Sequence, residues 1–166
     1  MKPDYKNWVP RGLLFLLGGM AIICLALCIV FGMAGVATEG GLRIALGVLF
    51  GAAFLLFAVL TGIFANMYCA FSYNGKRKIS KRVIEGIAKY VTLPDGGRGL
   101  DVGCGSGALT IACAKCNPHA QMVGIDRWGK EYASFNLPLC ERNAEAEGVR
   151  NVSFVRGNAV KLGFTD

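Results

Sequence analysis

The chain has 166 residues, about one domain's length, of which 54% are hydrophobic, and it carries a formal net charge of +7. Its seven cysteines lack framework spacing, which excludes the class of small secreted domains held together by disulfides. Five of the positive charges lie between Lys76 and Arg82, whereas residues 83–166 carry nine basic and nine acidic side chains, so no nucleic-acid partner is expected.

Two long segments near the start of the chain contain no charged side chain, Gly12–Thr38 and Ile44–Ser72. Each is longer than the ~20 apolar residues that an α-helix needs to cross a bilayer. We therefore predict two transmembrane helices, about 12–38 and 44–72, within a membrane anchor of residues 1–74. A cleaved signal peptide is the alternative for the first segment, but its hydrophobic region would be only about 7–15 residues long.

The short connector TEGGLR (38–43) predicts that the two helices form an antiparallel hairpin. Basic residues precede the first helix and follow the second, so the positive-inside rule places both termini in the cytoplasm and predicts a multi-pass protein of the cell membrane. Gly47 and Gly51 form a GxxxG pattern, which favours close packing of the two helices on each other. A homodimer through the transmembrane helices is the alternative interpretation.

Residues 75–95 follow the anchor as a basic juxtamembrane segment. Its first part, GKRKISKR (75–82), is typical of sequences that lie against anionic lipid headgroups, so the lipid bilayer is a predicted partner. An amphipathic helix that ends before Pro94 is predicted next. Its apolar side chains recur at helical spacing: Ile79, Val83, Ile87 and Val91.

From residue 96 onward, predicted strands alternate with predicted helices. The strands are GLDVG (99–103), AQMVGID (120–126) and NVSFVRG (151–157), and the helices are Ser106–Cys116 and about Lys130 to Glu147, with a break or restart near Pro138. Such alternation predicts right-handed βαβ units and a parallel sheet. The predicted fold class is therefore α/β: a helical hairpin followed by an incomplete, doubly wound, Rossmann-like sheet.

Three glycines lie where the first strand enters its helix, and open α/β sheets bind ligands at that edge. The GCGSGA spacing also fits the dinucleotide pattern GxGxxG/A, but a lone match is weak evidence. Asp101, at the end of the first strand, suits an ammonium group better than a pyrophosphate. Asp126 ends the second strand, where a carboxylate binds ribose hydroxyls, and Asn158 follows the third, within reach of an adenine edge. These groups predict S-adenosylmethionine as the ligand.

LDVGCGSG (100–107), VGID (123–126) and VRGNAVKLGF (155–164) resemble the first three motifs of the class I S-adenosylmethionine-dependent methyltransferases. The resemblance covers residues 79–166. It implies that Asp101 and the loop backbone hold the methionine part, that Asp126 binds the ribose, and that Arg127 or Trp128 packs near the adenine. The implied donor site comprises Asp101, Gly103, Cys104, Gly105, Ser106, Gly107, Asp126, Arg127, Trp128, Asn158 and Ala159.

The family fold has further strands beyond the third, and these usually supply the acceptor pocket. We therefore expect residues 96–166 to be a half-domain truncated after the third strand, with no catalytic residue assigned. CAKC (113–116) and the nearby His119 are interpreted as structural, so no metal is expected.

The predicted function is that of a membrane-anchored methyltransferase with an unknown methyl acceptor, of which this chain carries the donor-binding half. The alternatives are a non-catalytic membrane protein or orphan fragment that retains a nucleotide-binding loop and, more weakly, an NAD-binding module.

Overall fold

The computed structural model of the chain describes residues 2–129 and 134–162. The chain divides into two units, each defined by its internal contacts. The hairpin unit comprises Asn7–Phe71 and Gly75–Arg77, and the sheet unit comprises Met1–Lys6, Ser72–Asn74 and Lys78–Asp166. The short segments on either side of the hairpin therefore belong to the sheet unit, whereas the sequence predicted one continuous anchor of residues 1–74.

The hairpin unit contains two helices that are long and apolar enough to cross a membrane. Helix α1 spans Arg11–Leu27 and continues as a π-helical turn over Cys28–Met33, and helix α2 spans Gly40–Phe71. The first helix thus ends five residues earlier than predicted, and the second begins four residues earlier. Arg43 accounts for this end, because its guanidinium donates to the carbonyl oxygen of Gly32 at 2.9 Å and to that of Met33.

Glycines allow the two helices of the hairpin to approach closely. A Cβ atom on Gly32 would lie 2.6 Å from the Cα atom of Gly47, a separation that real Cβ atoms do not show. A Cβ atom on Gly51 would lie 3.7 Å from the Sγ atom of Cys28. Both glycines of the GxxxG pattern therefore face the first helix of the same chain, in agreement with the preferred interpretation.

The sheet unit follows the predicted alternation of strands and helices. Its elements are α3 (Ile79–Ala88), β1 (Arg98–Val102), α4 (Ala108–Cys116), β2 (Gln121–Asp126), α5 (Leu137–Ala146) and β3 (Val152–Arg156). The three strands are parallel and lie in the order β1-β2-β3, which confirms the predicted α/β class and its parallel sheet. Among the described residues β1 is an edge strand, and the side chains of Leu100 and Val102 are exposed.

Single residues define the starts of α4 and α5. Helix α4 begins at Ala108 rather than Ser106, because Gly107 has a left-handed backbone with φ of 77°. Helix α5 begins at Leu137, in agreement with the predicted restart near Pro138, and residues 130–133 of the predicted range lie outside the described part of the chain. Its start is fixed by Asn136, whose side-chain oxygen accepts the N–H of Leu139 at 2.9 Å.

Helix α4 is the central element of the core. Ile111 and Cys113 on this helix are almost fully buried, together with Met122 of β2. The cysteines of CAKC differ in environment, since Cys113 is buried and Cys116 is exposed. Of the two cysteines that the sequence analysis interpreted as structural, Cys113 packs in the core and Cys116 does not.

Candidate functional site

A cavity of about 480 Å³ opens where the three parallel strands end. Val102 ends β1, Asp126 ends β2, and Gly157 follows β3, so the cavity lies at the edge of the sheet that the sequence predicted. Its lining consists of Val102, Gly103, Gly105, Ile125, Asp126, Arg127, Gly129, Phe135, Gly157, Asn158 and Ala159.

The three loop glycines have positive φ angles, but they serve different purposes. A Cβ atom on Gly103 would meet nothing within 4 Å, so a side chain at this position of the lining would occupy the cavity itself. A Cβ atom on Gly107 would lie 2.8 Å from the ring of Phe154. Gly103 therefore keeps space for a ligand, whereas Gly107 permits the packing of α4 against β3.

The backbone amides of the loop are bonded within the protein. The N–H groups of Gly103 and Cys104 both donate to the carbonyl oxygen of Ile125, at 2.8 and 3.0 Å. The N–H of Gly107 donates to the carbonyl of Cys104, and that of Gly105 donates to the carboxylate of Asp126. All four amides therefore donate to groups of the protein itself. The cavity is bordered here mainly by the open space beside Gly103 and by the carboxylate of Asp126.

Asp126 organises the loop as well as lining the cavity. One carboxylate oxygen accepts the N–H of Gly105 at 2.9 Å, and the other accepts the N–H of Trp128 at 2.7 Å. An ionised carboxylate has about four acceptor sites, so these two bonds leave capacity for ligand hydroxyls. The structure therefore places Asp126 where the sequence predicted a ribose-binding carboxylate.

Arg127 and Trp128 were alternative candidates for packing near an adenine. The structure places Arg127 in the cavity lining, whereas Trp128 does not line it. The indole Nε1 of Trp128 donates instead to the carbonyl oxygen of Gly105 at 2.9 Å, and its backbone adopts φ of 44°. Trp128 therefore supports the loop from a position beside it.

Asn158 and Ala159 line the cavity at the end of β3, as the sequence predicted. The side-chain oxygen of Asn158 accepts the N–H of Val160 at 3.1 Å, and its backbone pairs with Lys161 in an antiparallel bridge. Asn158 is therefore held in a local turn directly after β3.

Asp101 lies beside the loop but does not line the cavity. Its carboxylate accepts the hydroxyl of Thr110 at 2.6 Å. Burial raises the pKa of Asp101, and the nearby charge of Asp126 raises it further, although the bonds from Thr110 oppose the shift. Its role toward the methionine part stays a prediction.

Cys104 and Ser106, the non-glycine members of the loop, are buried. A hydrogen bond with Cys140 and then burial raise the pKa of the Cys104 thiol, which disfavours the reactive thiolate. Cys140 donates its thiol to the carbonyl oxygen of Gly105 at 3.2 Å. Cys104 and Ser106, like Gly107, are therefore part of the loop but do not line the cavity.

Several apolar members of the lining were not predicted from the sequence. Phe135 lies 3.9 Å from the Cβ position of Gly105, and Val102 and Ile125 line the same cavity. Phe135 precedes α5 at no spacing typical of a motif, so only the tertiary structure identifies it. Gly157 lies within the third quoted motif, where its glycine identity was the available signal.

Residues 93–166 match a family model described as "Methyltransferase domain". The chain is 44% identical over 55 residues to the release factor glutamine methyltransferase of Geobacter sulfurreducens, which covers 33% of this chain and 18% of that protein. It is 31% identical over 81 residues to the demethylmenaquinone methyltransferase of Geobacillus stearothermophilus, covering 48% of this chain and 32% of that protein. The match therefore spans at most about a third of these relatives.

Solved structures also align with the chain, each with a TM-score below 0.5. The YcgJ protein of Bacillus subtilis aligns with a TM-score of 0.42 and 28% identity over 52% of this chain and 34% of that chain. Coclaurine N-methyltransferase aligns with a TM-score of 0.44 and 17% identity over 61% of this chain and 30% of that chain. The resemblance of the sheet unit to methyltransferases is confirmed by the family model over residues 93–166.

Proposed function

We propose that this chain is the donor-binding part of an S-adenosylmethionine-dependent methyltransferase that its hairpin unit anchors in a membrane. The observation that carries the proposal is the meeting of three motif positions in one cavity: Gly103 after β1, Asp126 at the end of β2 and Asn158 after β3. The cavity volume of about 480 Å³ lies within the range of ~300–1,000 Å³ for small-molecule sites.

The residues of the cavity fit the chemistry of the donor. Gly103 leaves open space beside the loop, and Asp126 offers a carboxylate for the ribose hydroxyls. Val102, Ile125 and Phe135 supply apolar surface of the kind that packs against an adenine. Bound S-adenosylmethionine would supply a methyl group on a sulfonium, and this part of the chain would hold that group in a defined position.

The geometry favours this donor over a dinucleotide such as NAD. A pyrophosphate requires free backbone N–H groups at the loop, but those of Gly103, Cys104, Gly105 and Gly107 donate within the protein. The charge of Asp126 lies close enough to Asp101 to raise the pKa of Asp101, in addition to the larger effect of burial. Two acidic side chains disfavour an anionic pyrophosphate and suit a ligand with a positive charge.

The surface of the hairpin unit supports the membrane anchor. Its two candidate spans are 23 and 32 residues long. Their most apolar 18-residue segments have mean hydropathies of 2.9 and 2.6, and only 17% of the residues in the first segment and none in the second are buried. Large apolar side chains such as Phe15, Ile44 and Val48 are at least two-thirds exposed, which suits contact with lipid rather than water. Two spans return the chain to its starting side, and the basic flanks favour the cytoplasmic side.

The relatives differ in the acceptor that their names specify. One is named for a release-factor glutamine and the other for demethylmenaquinone, a protein and a small molecule. Because both relatives are named methyltransferases but for different acceptors, the likeness supports a donor site rather than any particular acceptor site.

Calorimetric titration tests the proposal on the full chain in detergent. S-adenosylhomocysteine is expected to bind with micromolar affinity, and Asp126→Asn is expected to weaken binding about ten- to 100-fold, because a charge-assisted hydrogen bond contributes ~1.5–3 kcal/mol. Asp95→Asn, the same chemical change in the exposed turn before β1, serves as the matched control and should bind normally. A chain that melts cooperatively but binds NAD instead, or binds neither ligand, would overturn the proposal.

A further inference from the structure

The residues that precede the hairpin dock into the sheet unit. We call residues 2–6 the amino-terminal strap. Its Tyr5 side chain is only 4% exposed and packs in a cluster with Ile84, Ile111 and Ala144. The ring centroids of Tyr5 and Tyr73 are 4.5 Å apart, and the hydroxyl of Tyr5 donates to the carboxylate of Glu147 at 3.2 Å. Tyr5 therefore anchors the strap in the core of the sheet unit, whereas Lys2, Asp4 and Lys6 are exposed.

Asn143 on α5 binds the backbone of the strap. Its side-chain oxygen accepts the N–H of Asp4 at 2.7 Å, and its amide nitrogen donates to the carbonyl of Asp4 at 3.0 Å. The same nitrogen donates to the carbonyl of Ser106, also at 3.0 Å. Asn143 is 2% exposed, so this one buried amide joins the strap to the glycine loop.

Ser106 makes a second, direct bond to the strap. Its hydroxyl donates to the carbonyl oxygen of Tyr5 at 3.2 Å, in a buried environment. Ser106 lies between Gly105, which lines the cavity, and Gly107, which immediately precedes α4. Its hydroxyl and its carbonyl are thus held by Tyr5 and Asn143 respectively, on the side of the loop away from the cavity lining.

We propose that the amino-terminal strap positions the glycine loop, with Tyr5 and Asn143 as positioning residues that act on the cavity through Ser106. The loop needs such support because its glycines have intrinsically wide conformational freedom. Loss of the strap leaves the Ser106 hydroxyl without its carbonyl partner and loosens residues 103–107. The effect on donor affinity rests on the proposed function, whereas the effect on loop order does not.

Hydrogen exchange on the full chain in detergent measures loop order directly. In Tyr5→Ala, exchange should rise in residues 2–6 and in residues 103–107, while β2 stays protected. Tyr90→Ala, the same substitution at a tyrosine that is 91% exposed, is the matched control and should change neither segment. The proposal is overturned if the strap exchanges faster in Tyr5→Ala while residues 103–107 exchange as in the wild type.

A second pair of variants removes one hydrogen bond without emptying the core. Asp4→Pro removes the N–H that donates to Asn143, whereas Asp4→Ala keeps it and changes only the side chain. Hydrogen exchange in residues 103–107 should be faster in Asp4→Pro but not in Asp4→Ala. If Tyr5→Ala fails to fold, this pair of variants tests whether the strap positions the loop. Affinity for S-adenosylhomocysteine should fall about fivefold in Asp4→Pro, the factor expected for one net hydrogen bond. A wild-type chain that does not bind this ligand refutes the proposed function, but the exchange result still tests the strap.

Discussion

The clearest prediction compares two glycines with the same backbone conformation. Gly103 has φ of 81° and Gly96 has φ of 74°, and a Cβ atom on either would meet nothing within 4 Å. Alanine at either position must adopt the left-handed region, which costs about 1–2 kcal/mol of folding stability. Gly103→Ala and Gly96→Ala should therefore lower the melting temperature by similar amounts.

The two variants should differ in ligand binding. Gly103 lines the cavity, whereas Gly96 lies in the turn before β1 and is absent from the lining. A methyl group forced into a filled site costs about 1–3 kcal/mol, which corresponds to about five- to 140-fold weaker binding at ~1.4 kcal/mol for each factor of ten. Only Gly103→Ala should show this loss.

Isothermal titration with S-adenosylhomocysteine and thermal melting of the same samples provide both quantities. Equal affinities in Gly103→Ala and Gly96→Ala would refute the inference that the loop borders the bound ligand. A loss in both variants would show instead that the strain at a left-handed position, rather than the cavity, controls binding.

Three further predictions concern stability. Gly32→Ala should destabilise the hairpin by about 1–3 kcal/mol in an SDS unfolding titration, whereas Gly19→Ala, whose Cβ meets nothing within 4 Å, should not. Because burial raises the pKa of Asp101, the folded state disfavours its charge, so Asp101→Asn should raise the melting temperature at pH 7; a decrease would contradict this account. Burial also raises the pKa of Tyr73 to about 12, so the folded state keeps a proton that the unfolded state loses; stability should fall between pH 10 and 12, and less so in Tyr73→Phe.

Local sequence patterns were sufficient to predict most of the elements. Alternation of apolar segments with glycine-rich turns predicted three parallel strands and the position of the loop, and the structure agrees. The same patterns misplaced the end of the first helix and the start of α4, because the hydrogen bonds of Arg43 and the left-handed backbone of Gly107 fix those positions. The start of α5 depends on one side-chain oxygen, and hydrophobic periodicity does not report such a bond.

The candidate site was predicted only in part from the sequence. Gly103, Asp126 and Asn158 each follow a strand, so the topology of a parallel sheet was enough to bring them together. Trp128 and Asp101 occupy equally suitable positions in the motifs, yet neither lines the cavity. The indole of Trp128 donates to Gly105, and the carboxylate of Asp101 accepts the hydroxyl of Thr110. Motif position therefore predicts which residues lie near the ligand, but not which of them face it.

Local patterns in the chain are sufficient to predict the two long apolar helices, the parallel sheet and the order of the motifs, because these depend on side-chain types at short, regular spacing. The tertiary structure alone decided that the loop amides are bonded within the protein and that the strap belongs to the sheet unit. The bond between Asp4 and Asn143 joins residues 139 positions apart. Such contacts arise from how distant surfaces pack, and no local pattern in the chain records them.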